Sequence, residues 1–137
     1  MNLSETVKII EQARALWPDR LRNLPDATPG YWHETLADVS YPDAHAALTA
    51  MAREHEWFSL ASLVAAVRQT RADRLAAVCP NPGDIEEVAG GDLEAGRLEV
   101  RAVREAIASG RMDAAAYRAY LAAGAPIAAR VIEAGRG

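Results

Sequence analysis

The sequence predicts an all-α protein, and three observations carry that prediction. Thirty of the 137 residues are alanine, the best helix former. Apolar residues recur at intervals of three and four along most of the chain rather than alternating. Between these stretches stand Asn, Ser, Thr or Asp followed by Pro or an acidic residue, the punctuation of helix starts. The same composition disfavours a β-sandwich or barrel, since with one Phe, three Trp and four Tyr the aromatic residues that strands favour are scarce.

The first helix starts at Asn2, which has capping-box spacing to Glu5. Leu3, Val7, Ile10, Ala13 and Arg14 trace one face, widened by Ile9 and Leu16. Trp17-Pro18 ends it, because the residue before proline is pushed out of the α region. A loop follows in which Leu21 and Leu24 can tuck under. The second helix is short, with Thr28 as its cap and Pro29 at the first helical position. Tyr31 or Trp32, with Thr35, Leu36 and Val39, supplies its buried side. Ser40 and Asp43 open the third helix, where Ala44, Ala47, Leu48 and Met51 face inward. Trp57 and Phe58 then lead to Ser59, the cap of a fourth helix on which Leu60, Leu63, Val64, Val67, Arg71 and Leu75 keep helical spacing.

Residues 79–91, CPNPGDIEEVAGG, contain two Pro and three Gly and read as a linker. Beyond them Leu93, Leu98, Val100, Val103 and Ile107 mark another helix, with Gly110 as its C-cap. Asp113 can cap the segment AAAYRAYLAAG, and Ala125–Ala134 reads as a last short helix after Pro126. The organisation that follows is a compact four-helix N-terminal bundle (1–78), a linker (79–91) and a C-terminal helical segment (92–137) of two or three helices. The Trp residues and the Phe all precede residue 59, so the large core-filling rings belong to the bundle. The C-terminal segment has only Tyr117 and Tyr120 and needs a partner, whether the bundle, a second copy or a target protein.

A net charge of −4 disfavours binding of nucleic acid by charge alone. Cys79 is the only cysteine, which rules out an intrachain disulfide and a multi-cysteine zinc site. The N-terminus lacks the apolar run of a secretory signal, and no stretch approaches the roughly 18 apolar residues of a membrane span. The expectation is a cytoplasmic protein without a membrane partner. His33, His45 and His55 lack the spacing of a zincin motif. No GxSxG elbow, GxGxxG fingerprint or phosphate-binding lysine loop is present. Glu54/Glu56 and Glu86-Glu87 lie in polar surroundings and read as solvated. No catalytic residue, metal site or cofactor is expected. Two sets of residues are candidates for partner contact. Arg68, Arg71 and Arg74, three apart, project a positive ridge suited to phosphates or an acidic protein surface. Leu93, Val100, Val103 and Ile107 form an apolar stripe able to lie in a partner's groove.

Taken in order, ETVKIIEQARALW, then YWHETLADVSYPDAHAALTAMARE, then Trp57-Phe58 leading into SLASLVAAVRQTRADRLA resembles the N-terminal domain of the phage replicative-helicase loader/inhibitor family. The resemblance extends to about Ala77. It implies a non-enzymatic adaptor with a compact helical N-terminal domain, which holds the hexameric replicative helicase inactive and helps deliver it to the origin through the initiator protein. Family C-terminal parts are often poorly ordered alone, whereas residues 92–134 here are helix-forming, a departure from the family pattern. Loaders that are ATPases carry a Walker A motif and this chain has none, so the implied action is by binding. Two other functions fit the residues. One is a small DNA-binding or transcription-regulating module, with the third and fourth helices paired and Arg68, Arg71 and Arg74 on phosphates. The other is a phage protein that blocks a host or defence target. Alanine-rich helices flanking a hinge also make a homodimer an expectation.

Overall fold

A computed structural model describes residues 1–54 and 57–128. Its helices are α1 (Leu3–Leu16), α2 (Thr28–Thr35), α3 (Tyr41–Glu54), α4 (Leu60–Val78), α5 (Pro82–Val88), α6 (Leu93–Ala108) and α7 (Ala114–Ala123). No strand occurs among the described residues, and the all-α class is as the sequence predicts. The chain divides into two compact units, Met1–Thr70 and Arg71–Gly137.

In the first unit the punctuation acts largely as read. Asn2 accepts from the Glu5 N–H while Glu5 accepts from the Asn2 N–H. The Ser40 and Ser59 hydroxyls accept from the N–H groups of Asp43 and Ser62. At α2 the start differs: Thr28 is already helical and buried, and Ala27 stands at the cap with no side chain to bond. Pro29 fixes the first turn without that help. The inward face of α1 is Thr6, Ile9, Ile10 and Ala13, so Leu3, Val7 and Leu16, expected inside, keep substantial exposure. Thr6 can be buried because its hydroxyl donates to the Asn2 carbonyl at 2.9 Å, which removes the cost of an unsatisfied group.

Ile9, Ala13, Leu36, Leu48, Leu63 and Val67 meet in the core of this unit. Three rings complete it. Phe58 lies 5.1 Å from Trp17 and 5.5 Å from Trp32, centroid to centroid, within the range of favourable ring pairs. Trp17, at the end of α1, is thus core. Of the pair 31/32, Trp32 is buried and Tyr31 exposed, while Trp57 is half exposed. Thr35, read as inward, is exposed and bonds the Tyr31 carbonyl.

The second unit corrects the linker expected at 79–91. Asn81 accepts from the Gly83 N–H, Pro82 occupies the first turn, and Ile85 of α5 is fully buried. Proline here starts a helix and Gly90 and Gly91, with φ +88° and +83°, stop it; the breakers punctuate a short helix instead of abolishing one. The division between units also falls earlier than Val78. Leu75 and Val78, at the end of α4, pack on the second core of Ile85, Val103, Ile107, Tyr117 and Tyr120. Asp92 and Asp113 cap α6 and α7 through the Ala95 and Ala116 N–H groups. Gly110 (φ +82°) ends α6, where its N–H reaches the Ile107 carbonyl and the Met112 N–H reaches that of Ala106. α5 and α6 approach closely at Gly96, where an added Cβ would lie 3.1 Å from Glu86 Cγ. Of the last helix expected at Ala125–Ala134, residues 125–127 are not helical and 129–134 lie outside the described residues.

Every residue of the first core lies at or before Val67. A chain ending at Val78 is therefore expected to melt in one cooperative transition, followed by far-ultraviolet circular dichroism. A broad, non-cooperative loss of helix would show that the first unit does not fold alone.

Candidate functional site

Of the residues singled out in the sequence, Arg68 falls in the first unit and the other six in the second. Arg68 is exposed. The Arg71 guanidinium lies 2.6 Å from Glu105 of α6, and Arg74 donates to the Ala108 carbonyl at 2.9 Å. That carbonyl belongs to the last turn of α6, where a cation complements the helix dipole. Two of the three arginines thus serve contacts inside the second unit instead of presenting a ridge to phosphates. The apolar stripe has the same outcome. Val103 and Ile107 are fully buried in the second core and Val100 packs partly against it, while Leu93 alone is 67% exposed. The face read as a partner stripe is the face that α5 and α7 cover.

Among the histidines, His45 Nδ1 bonds Gln12 Oε1 at 2.8 Å, His33 is half-buried, and His55 lies outside the described residues, as does Glu56. Cys79 is exposed. Among the described residues no group of three or more His, Cys, Asp or Glu is placed to hold a metal ion. No helix among them is long and apolar enough to cross a membrane.

What the first unit presents is a groove. α3 and α4 leave a hollow of about 700 Å³ between them, lined by Ala46, Ala47, Ala50 and Met51 of α3 and by Ala65 and Ala66 of α4. Its polar members are Glu54, Ser62, Gln69 and Thr70. Ser62 is bonded to the Ser59 hydroxyl and Thr70 to the Ala66 carbonyl, so two of the hydroxyls are already engaged. Among the described residues Glu54 is the only carboxylate of the lining, and a single carboxylate does not make an acid/base pair. The described lining of the groove is mainly small and apolar. The sequence did not reveal it, because alanines at 46, 50 and 65 read as neutral helix filler. The signal available was their recurrence on the faces that the larger apolar residues leave unused.

A second feature missed in the sequence is Glu99. Its carboxylate is 1% exposed, yet it has three donors: the Tyr120 hydroxyl and the Ile127 N–H at 2.7 Å, and the Ala128 N–H at 2.9 Å. A buried charge persists only with such partners. Burial, then the hydrogen bond to Glu99 and its negative charge, hold the Tyr120 hydroxyl well above the ordinary tyrosine range. The Tyr117 hydroxyl accepts from the Asn81 N–H at 3.0 Å. These groups tie the segment after α7 to α6, and α7 to the start of α5.

Replacing Glu99 with Ala strands three donors, and is expected to lower unfolding free energy by about 3 kcal/mol in urea titration. A loss below about 1 kcal/mol would show the cluster to be dispensable. Tyr120 gives a pH signature. Its folded state keeps the phenolic proton where the unfolded chain, with an ordinary value near 10, has lost it. Stability from this group is complete below that value and declines as pH rises above it. In ultraviolet titration of the native protein one tyrosine should ionise late, and Tyr120→Phe should remove that component; an unchanged curve in the variant contradicts the assignment.

Compared with protein-family models, curated proteins and solved structures, the chain matches none.

Proposed function

We propose that this protein is a non-enzymatic adaptor that takes an apolar helix of a partner protein into the groove between α3 and α4. The observation that carries this reading is the alanine lining. Small side chains let a visiting backbone approach to the roughly 8–10 Å of packed helices, and an amphipathic helix can bury its apolar face there at about 25 cal/mol for each Å² removed from water. The partner proposed is a replicative helicase. What supports it is the helical pattern of residues 5–77, similar to that of the loader/inhibitor family, and the groove lies within that stretch. The DNA-binding alternative loses ground, since Arg71 and Arg74 are engaged by Glu105 and the Ala108 carbonyl. A phage protein that blocks a host or defence target would use the same surface chemistry on a different partner.

The test is co-elution with the cognate helicase hexamer. The native chain is expected to co-elute and to alter helicase ATPase activity. Ala50→Arg and Ala65→Arg, which fill the groove from exposed positions, should weaken binding at least about tenfold, equivalent to 1.4 kcal/mol, with melting temperature little changed. Failure of the native chain to bind or to alter ATPase activity sinks the helicase assignment. Native-like binding by the arginine variants sinks the groove.

A further inference from the structure

The second unit carries an unassigned surface of two opposite charges. Arg97, Arg101 and Arg104 stand at i, i+4 and i+7 on α6, on one face of the helix. All three are exposed, and none has an ion-pair or hydrogen-bond partner among the described residues. They span about 10 Å of helix axis. The other flank of α6 is acidic. There α5 lies against Gly96, and a hollow of about 270 Å³ is lined by Gly83, Glu86, Glu87, Gly91, Asp92 and Leu93. Asp84 is exposed on the same helix, α5.

Helical geometry sets the two regions side by side. Measured around α6 from Gly96, Leu93 lies at about 60° and the three arginines at about 80–140°. Leu93 therefore stands between the acidic hollow and the basic ridge, and it is the most exposed large apolar side chain of this unit. Carboxylates and guanidinia on this surface are not paired with each other; Asp92 caps α6, while Asp84, Glu86, Glu87 and the three arginines are open to a partner of opposite sign.

We propose that this surface binds a second copy of the chain. The partner it fits must carry a positive ridge for the hollow and a negative rim for the ridge, with an apolar contact between them. The same surface turned about a two-fold axis supplies all three: the ridge of one copy meets the acidic rim of the other twice, and Leu93 meets Leu93. This is the self-complementarity that an isologous interface requires. A nucleic acid satisfies the ridge alone and is repelled by Glu86, Glu87 and Asp92 beside it.

Sedimentation of the full chain tests this. The native protein is expected to be a dimer in about 50 mM salt and to dissociate progressively towards about 500 mM, as screening shortens the reach of the charges. Arg97→Glu/Arg101→Glu/Arg104→Glu and Asp84→Lys/Glu87→Lys should each be monomeric. An equimolar mixture of these two proteins should restore a dimer, a recovery that misfolding cannot produce. A native monomer under every condition overturns the proposal, as do charge variants that dimerise like the native chain. So does duplex DNA bound by the native chain and lost in the arginine variant, if the native chain is monomeric.

Discussion

An alanine brings one methyl group to a core, and that constraint shapes this molecule. Thirty alanines make helices readily but leave little volume to fill the space between them. Closure therefore rests on a few large side chains. In the first unit the rings of Trp17 and Trp32 both pack against Phe58. Where no large side chain intervenes, as between the outward alanines of α3 and α4, the helices leave a groove. The abundance that makes the helices is thus also what opens a face on which another helix can rest.

The second unit meets the same shortage by polar means. It has no Trp or Phe, and its core of Ile85, Val103, Ile107, Tyr117 and Tyr120 is supplemented by a buried carboxylate. Glu99 is held by one hydroxyl and two backbone amides. Such a cluster gives little net stability over an apolar equivalent, but it penalises strongly any arrangement that leaves its members unpaired. Its contribution is to fix which groups meet. Arg74 of α4 acts similarly, donating to the Ala108 carbonyl at the end of α6.

The all-α class was legible because local signals and burial agree. Asn2, Ser40, Ser59, Asp92 and Asp113 all accept from the helix N–H groups they precede. Legibility failed where one residue type has two uses. Pro82 and Gly90–Gly91 break a chain or punctuate a short helix, and only the burial of Ile85 decides between them. Arg71 and Arg74 are solvated or inward according to what packs on α4, which spacing along one helix cannot report. Glu99 was invisible because its donors come from 21, 28 and 29 residues further along the chain. Arg97, Arg101 and Arg104 share their helix with an apolar stripe whose stronger periodicity masks them.

The groove reading and the paired-charge surface are separable, since the first rests on residues 46–70 and the second on residues 83–104. A partner helix seated in the groove must shield that groove and little else of the first unit. Amide hydrogen exchange with and without the helicase measures that shielding directly. Slowed exchange is expected in α3 and in α4 up to Thr70 when the helicase is added, with α1 unchanged. Unchanged exchange in α3 and α4 alongside demonstrated binding, or protection confined to other helices, would contradict it.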